Sequence, residues 1–498
     1  MPGHPSPGGD LHKASRSAIL AQVARATAVA PEATSRPASQ LDPRTSALLH
    51  APIVPLLLRM AWPNVVVMLA QASSGLIETF WVSRLGTDAL AGMALVFPGV
   101  MLMQMISGGS LGGGISSAIA RALGSRRAAD ADALVLHALI INVALGALAS
   151  VLVLVFGPEL YRALGGRGAS LDAALRYSNV VFAGNIFLWV MNGLASAVRG
   201  TGNMLVPALV ICGCTAILVP LSPLLIFGIG PFPALGIAGG GVAMVFSFAI
   251  GTAALAWYVL SGRSVVHVRF ARLQRRFFNA ILSVGAVATI STLQTNVTIG
   301  VATALVAIVA GPAGVAGYGT GARLEYLLIP LVFGLGAPLV ALVGTNIGAG
   351  QRDRALRIAL VGGTIAFAMT ETIGIAAAVW PRAWLGLFGH DPGMLATGSA
   401  YLRAAGPFYG FFGLGLALYF ASQGAGKLRW PLIAGFLRML VALGGGWIAL
   451  RATGSLLWLF VALGLGMLLY GVVVTVSVTS GSLVGSRRPV TQTAGQAN

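Results

Sequence analysis

Gly200-Thr201-Gly202 followed by Pro207 is written a second time in this chain, as Gly424-Ala425-Gly426 followed by Pro431, 224 residues later. The same offset of 224 joins Leu123-Gly124, which precedes an Arg/Asp run, to Ile347-Gly348, which precedes Gln351-Arg352-Asp353-Arg354. Tyr177 and Tyr401 stand 224 apart as well. A pattern repeated across nearly the whole chain implies two halves of similar structure. In a membrane protein, paired halves are the mark of a transporter whose site lies between them.

Composition identifies the solvent as lipid. Of 498 residues, 57% are hydrophobic and 9% charged, and the mean hydropathy is +0.87. A soluble domain carries about 25% charged residues. Apolar runs long enough to cross a bilayer, roughly 20 residues each, recur throughout. Backbone groups in lipid must bond within their own segment, so these runs are helices rather than open sheets. The 67 glycines and 24 prolines fit membrane helices, where small residues allow close packing and proline kinks are tolerated. The reading gives an all-α integral membrane protein with about twelve spans: 54–82, 90–118, 132–156, 177–198, 206–228, 237–260, 279–309, 319–345, 358–380, 401–422, 431–450 and 455–479. Six spans per half is an even number, so the repeat is parallel. It implies two pseudo-symmetric six-helix bundles side by side, with a cavity between them.

Charge gives the orientation. The net charge is +18, which in a soluble chain would suggest nucleic acid. Here the positive-inside rule accounts for it. One set of loops carries Arg121, Arg126, Arg127, Arg199, Arg263 to Arg276, Arg352 to Arg357, Lys427 and Arg429, while the opposite set carries few basic residues. The basic loops are therefore expected in the cytoplasm of a multi-pass cell-membrane protein, with both termini on that side. Residues 1–50 read as a disordered tail, 51–260 as a first lobe, 261–277 as a basic linker, 278–480 as a second lobe and 481–498 as a second tail. No nucleotide-binding, hydrolase or metalloprotease motif is present. Cys212 and Cys214 lack metal-site spacing. No enzyme activity, cofactor or metal is expected.

Several strings in fixed order carry a resemblance. They are Ile77-Glu78-Thr79-Phe80-Trp81-Val82-Ser83-Arg84-Leu85-Gly86, Pro223-Leu224-Leu225-Ile226-Phe227-Gly228 with Pro231-Phe232-Pro233-Ala234-Leu235-Gly236, and Gly319-Thr320-Gly321-Ala322-Arg323-Leu324-Glu325. Val343-Gly344-Thr345-Asn346-Ile347-Gly348-Ala349-Gly350 and Leu387-Phe388-Gly389-His390-Asp391-Pro392 complete the set. Over residues 52–480 the chain resembles the multidrug and toxin extrusion (MATE) transporters. The resemblance implies an antiporter that expels organic, often cationic and aromatic, compounds as H⁺ or Na⁺ flows inward, its two lobes rocking about a central cavity.

A charge at the centre of a membrane helix costs roughly 2.5–3.5 kcal/mol, so its default reading is functional. Three acids meet that condition and are the candidates for cation coupling: Glu78, Glu325 and Glu371. A buried carboxyl can exchange a proton, because desolvation disfavours its charged form. A carboxylate can also attract an organic cation or hold Na⁺. By resemblance, Glu78 matches the family's helix-one acid, but the partner positions are Leu218, Ser222 and Met244, and the second-lobe acids of another branch fall on Asn296 and Phe412. So few oxygens favour H⁺ over Na⁺. Candidate substrate contacts are Gln71, two helical turns from Glu78, then Gln294, Asn296, Thr298 and Tyr409. Partners are expected to be small organic substrates, H⁺ and the lipid bilayer, with no nucleic acid and a monomeric chain. The alternatives are a Na⁺-coupled antiporter and a flippase for lipids or lipid-linked sugars. The cargo of a flippase would need cationic residues, and Arg323, Arg403 and Arg438 would be the ones to serve.

Overall fold

The computed structural model describes residues 42–270 and 272–483. Fourteen helical segments follow one another: α1 (Pro43–His50), α2 (Ile53–Ser83), α3 (Thr87–Gly124), α4 (Ala128–Ala163), α5 (Gly168–Ala183), α6 (Asn185–Gly200) and α7 (Leu205–Phe227), then α8 (Ile237–Leu260), α9 (Arg275–Gly348), α10 (Arg352–Val379), α11 (Pro381–Leu385), α12 (Pro392–Ala425), α13 (Arg429–Thr453) and α14 (Leu456–Gly481). No strand occurs among the described residues.

Ten of these helices are long and apolar enough to cross a membrane, and α5 with α6, joined at a 46° bend, makes an eleventh. The 74 residues of α9 would extend about 110 Å at 1.5 Å per residue, several times the roughly 30 Å of a hydrocarbon core. They do not run straight. Gly311 has φ 61° and ψ −161°, immediately before Pro312. Only glycine occupies that backbone region freely, and the proline cannot continue the hydrogen-bond ladder behind it. The break divides α9 into two arms, and the count becomes twelve spans in two six-helix bundles.

Packing repeats between the bundles. The start of α3 packs on α5 as the second arm of α9 packs on the start of α12, and α4 packs on α6 as α10 packs on the end of α12. The bend at Gly184 between α5 and α6 returns as the 3-10 turn Gly406–Phe408 inside α12. Small residues at these crossings let backbones touch, which in lipid replaces the missing hydrophobic drive between helices. A Cβ on Gly200 would lie 2.8 Å from the Ser116 carbonyl oxygen, and one on Gly424 would lie 2.6 Å from that of Val340. Ser116 and Val340 are themselves 224 apart. The repeated glycines are thus explained by two equivalent helix contacts.

The ends of α3 and α9 cross each other reciprocally. A Cβ on Gly124 would collide with the Thr345 carbonyl, and one on Gly348 would collide with the Arg121 carbonyl. Arg121 and Thr345 are equivalent positions, so each half makes to the other the contact it receives, as a two-fold axis requires. The crossing stands at the end of the bundle that carries Arg126, Arg127, Arg352 and Arg354, and it joins the halves there. The obstacle at each glycine is backbone, which cannot move aside. Gly124→Ala or Gly348→Ala is therefore expected to destabilise by about 1–3 kcal/mol. Gly319→Ala, whose Cβ meets nothing within 4 Å, serves as the neutral control. Melting temperatures of the three purified variants check this; equal melting of all three would refute it.

Two expectations about the segments outside the spans change. Residues 43–50, read as the end of a disordered tail, form α1, with Leu48 and Leu49 buried. Asn346 Nδ2 donates to the Leu48 carbonyl at 3.1 Å, and Arg354 donates to the Ala51 carbonyl. The rest of that tail, residues 1–41, and the end of the chain from 484 lie outside the described residues. The linker of residues 261–277 is basic as read, but it is fastened to α4. The His267 amide donates to Asp132 Oδ1 at 2.8 Å, the Gln274 amide to His137 Nε2 at 3.0 Å, and Arg276 Nη2 to Asp130 Oδ1 at 2.9 Å.

Candidate functional site

Most polar side chains in the spans are satisfied within their own helix. Asn64, Thr298 and Thr370 each donate to the carbonyl four residues back, the usual way a membrane helix accommodates such groups. What remains after this subtraction marks the site. Between the two bundles lies a cavity of about 550 Å³. Among the described residues, only three of those that line it have buried side-chain polar atoms with no hydrogen-bond partner: Glu78, Arg199 and Gln294. They are one acid, one base and one amide.

Glu78 sits five residues before the end of α2 and is 2% exposed. Neither carboxylate oxygen completes a hydrogen bond, and the neighbouring hydroxyl, that of Ser222, approaches it only loosely. Gly240 on α8 leaves bare backbone opposite it: a Cβ there would lie 3.6 Å from Glu78 Oε2 and 3.8 Å from Ser222 Oγ. The buried Tyr177 ring and the Leu218 and Met244 side chains line the cavity beside it. The acid thus stands at the position the sequence marked, in surroundings with few oxygens.

The other two acids are placed differently. Glu325 is bonded through both oxygens. Arg438 Nη2 donates to Oε1 at 3.0 Å and Tyr401 OH donates to Oε2 at 2.8 Å. The guanidinium of Arg438 also lies 4.6 Å from the centroid of the Phe412 ring. Arg438 and Phe412 line the cavity; Glu325 stands behind them. Glu371 accepts the Gly410 amide at 2.7 Å, one of the free donors in the first turn after the 3-10 break in α12. It is not part of the cavity wall. The structure therefore does not gather the three acids into one site.

Of the substrate-contact candidates, Gln71, Gln294, Asn296 and Thr298 line the cavity. Gln294 packs against Gly435 of α13, whose Cβ would lie 2.6 Å from its Oε1. Tyr409 does not line it. Its ring is fully buried in the core of the second half, with its Cβ against Gly374. The turn of α12 carries Phe412 to the wall instead. Arg199, read as a basic-loop residue, is 6% exposed and inside. Its place at the end of α6 beside Gly200 gave no sign of this.

The sequence profile of the MatE family matches residues 63–224 and 288–448. The chain belongs to the MatE family. The profile matches twice, and the second match begins 225 residues and ends 224 residues after the first, which restates the internal repeat. Among curated relatives of this MatE protein, the FAD transporter of Shewanella oneidensis is 30% identical, over 75% of this chain and 82% of the relative. A probable multidrug resistance protein NorM of Thermotoga maritima is 24% identical, over 78% of this chain and 83% of the relative. A crystal structure of MATE in the bent conformation superposes with a TM-score of 0.82 at 24% identity, covering 89% of this chain and 98% of that one. The fold is therefore that of the family's transporters, and the MatE protein is a multi-pass membrane protein.

Proposed function

We propose that this chain is a secondary transporter that exports organic compounds, aromatic and often cationic, in exchange for protons entering through Glu78. The observation that carries this reading is the buried carboxylate of Glu78, with no partner, in the wall of the cavity between the halves. An ionisable group held at that cost without a structural bond is best explained by its chemistry. A carboxyl in contact with the cavity can hold either a proton or, when ionised, a cationic cargo. Competition between the two couples their movements. The wall suits flat molecules: Phe97, Phe333, Phe412, Tyr419 and Phe420 line it. The relatives described as multidrug resistance proteins support an exporter.

Alternating access follows from the placement of the contacts. The reciprocal crossing of α3 and α9 joins the halves at the basic end, taken as cytoplasmic. Parting of that crossing, with approach of the halves at the other end, would turn the cavity to the opposite side. Few oxygens stand near Glu78, which favours H⁺ over Na⁺. The test uses the purified protein in liposomes and a fluorescent organic cation, with a pH gradient or a Na⁺ gradient imposed separately. Transport driven by the pH gradient alone is expected. Transport driven by Na⁺ alone would overturn the proton reading, and no transport under either gradient would favour a lipid or lipid-linked cargo.

A further inference from the structure

Arg199 has no role in the reading above. Its Nε is buried without a partner, no acid among the described residues lines either pocket beside it except Glu78, and it lines both the large cavity and a small side pocket. Among the described residues, no carboxylate lines the side pocket. Beside Arg199 it is lined by Ser116, Ser196 and Gln423, with the bare backbones of Gly112 and Gly113. Gln423 Oε1 and Ser196 Oγ are also buried without partners. In the large cavity the acid is Glu78, and the other cation, Arg438, is occupied by Glu325. A buried cation without a counter-charge is expensive, and an arriving anion reduces that expense. A positive charge at the last turn of α6 is favoured by the helix dipole, but that accounts for the sign and not for a guanidinium turned into a cavity.

We propose that Arg199 is the anion-binding residue of the cavity, and that the substrates of this transporter include aromatic molecules carrying a phosphate or carboxylate group. The aromatic part is fixed by neighbours. Phe333 and Phe420, edge to face with centroids 5.5 Å apart, line the cavity and the side pocket together with Arg199. A planar ring against this pair brings an attached anion to the guanidinium, whose forked donors suit a phosphate or carboxylate in a bidentate pair. The side pocket then selects an anionic group while Glu78 handles cations and protons. Zwitterionic aromatic compounds would engage both. The proposal rests on the reading of the cavity as the substrate chamber, but not on Glu78 as the coupling site.

The experiment measures binding to the purified full-length protein in lipid nanodiscs, with no gradient, so a failure of proton coupling cannot affect it. The probes are FMN and riboflavin, which share a ring system and differ by one phosphate. Wild type is expected to bind FMN more tightly, by about ten- to a hundredfold for a charge-assisted pair, and inorganic pyrophosphate should displace FMN but not riboflavin. Arg199→Gln should bring FMN down to the riboflavin affinity, and Arg199→Lys should restore part of the difference. The wild-type comparison and the pyrophosphate competition stand even if Arg199→Gln fails to fold. Equal binding of the two probes, no binding of FMN, or an FMN preference that survives in folded Arg199→Gln would each overturn the proposal.

Discussion

Glu78→Gln is expected to abolish proton-driven export, leaving the rate at that of protein-free liposomes, without lowering the melting temperature. Both halves of this result follow from the surroundings of the side chain. Gln has nearly the same shape as Glu and cannot release a proton, so it mimics the protonated state permanently. The carboxylate of Glu78 completes no hydrogen bond and has only a loose approach from the Ser222 hydroxyl, which an amide in its place can also accept. A neutral amide is also easier to hold in an apolar wall than a charge, so the fold is retained. Glu78→Asp keeps the titratable group one methylene further back and should retain part of the rate. In Glu78→Gln any residual flux should no longer vary with the imposed pH gradient. Efflux of a fluorescent cation after a pH jump, read beside a thermal melt, gives both quantities. Near-normal transport by Glu78→Gln would sink the assignment, and loss of transport together with the fold would make Glu78 a structural residue instead.

The sequence disclosed this acid for a physical reason. With 13 acidic residues in 498, a carboxyl inside an unbroken apolar run stands out, because the solvent is known from the run itself. The repeat was legible because equivalent backbone contacts demand glycine at equivalent places, as at Gly200 and Gly424. Arg199 was not legible. It lies one residue from the loop glycines, and a basic residue at a span end reads as a positive-inside charge. Its burial is tertiary, produced by the wedging of α6 against α3, where a Cβ on Gly112 would collide with Ser196. Glu325 showed its position in the membrane but not its partner, because Arg438 comes from another helix 113 residues away. The aromatic run Phe408 to Phe412 does not tell which ring a helix turns inward, so the burial of Tyr409 and the exposure of Phe412 to the cavity are not legible in it.

The repeat also explains where to look for chemistry. The two-fold relation preserves glycines at crossings and does not preserve charge. Arg199 has Gln423 as its equivalent, Glu325 has Met101, and Arg438 has Cys214, each 224 residues away. The symmetric positions hold the bundles together and let one closure be exchanged for another. The asymmetric ones give the cavity an ionisable acid in the first half and an internal ion pair in the second. A fold shared by many transporters becomes a particular one through the residues that break its symmetry.

The ion pair leads to the second large effect. Arg438→Ala is expected to destabilise the protein by about 3–5 kcal/mol, the usual result of removing one partner from a buried pair. Both side chains are 12% exposed and the bond is 3.0 Å long, so the Glu325 charge would be left with Tyr401 alone. Arg438 also gives up its contact with the Phe412 ring, a further part of the loss. Glu325→Gln should be costly too, because it leaves the guanidinium unmatched beside the cavity. The double variant Glu325→Gln with Arg438→Gln, in which no charge remains, should recover much of the stability lost in either single change, giving a coupling energy well above zero. Melting temperatures of the four proteins in one detergent provide the cycle. The double variant should also keep a pH-dependent export, since Glu325 is engaged in holding α9 to α12 and α13 while Glu78 exchanges protons. Additive losses in the cycle would mean that the pair is not coupled. Export by the double variant that no longer responds to pH would move the coupling site from Glu78 to the second half.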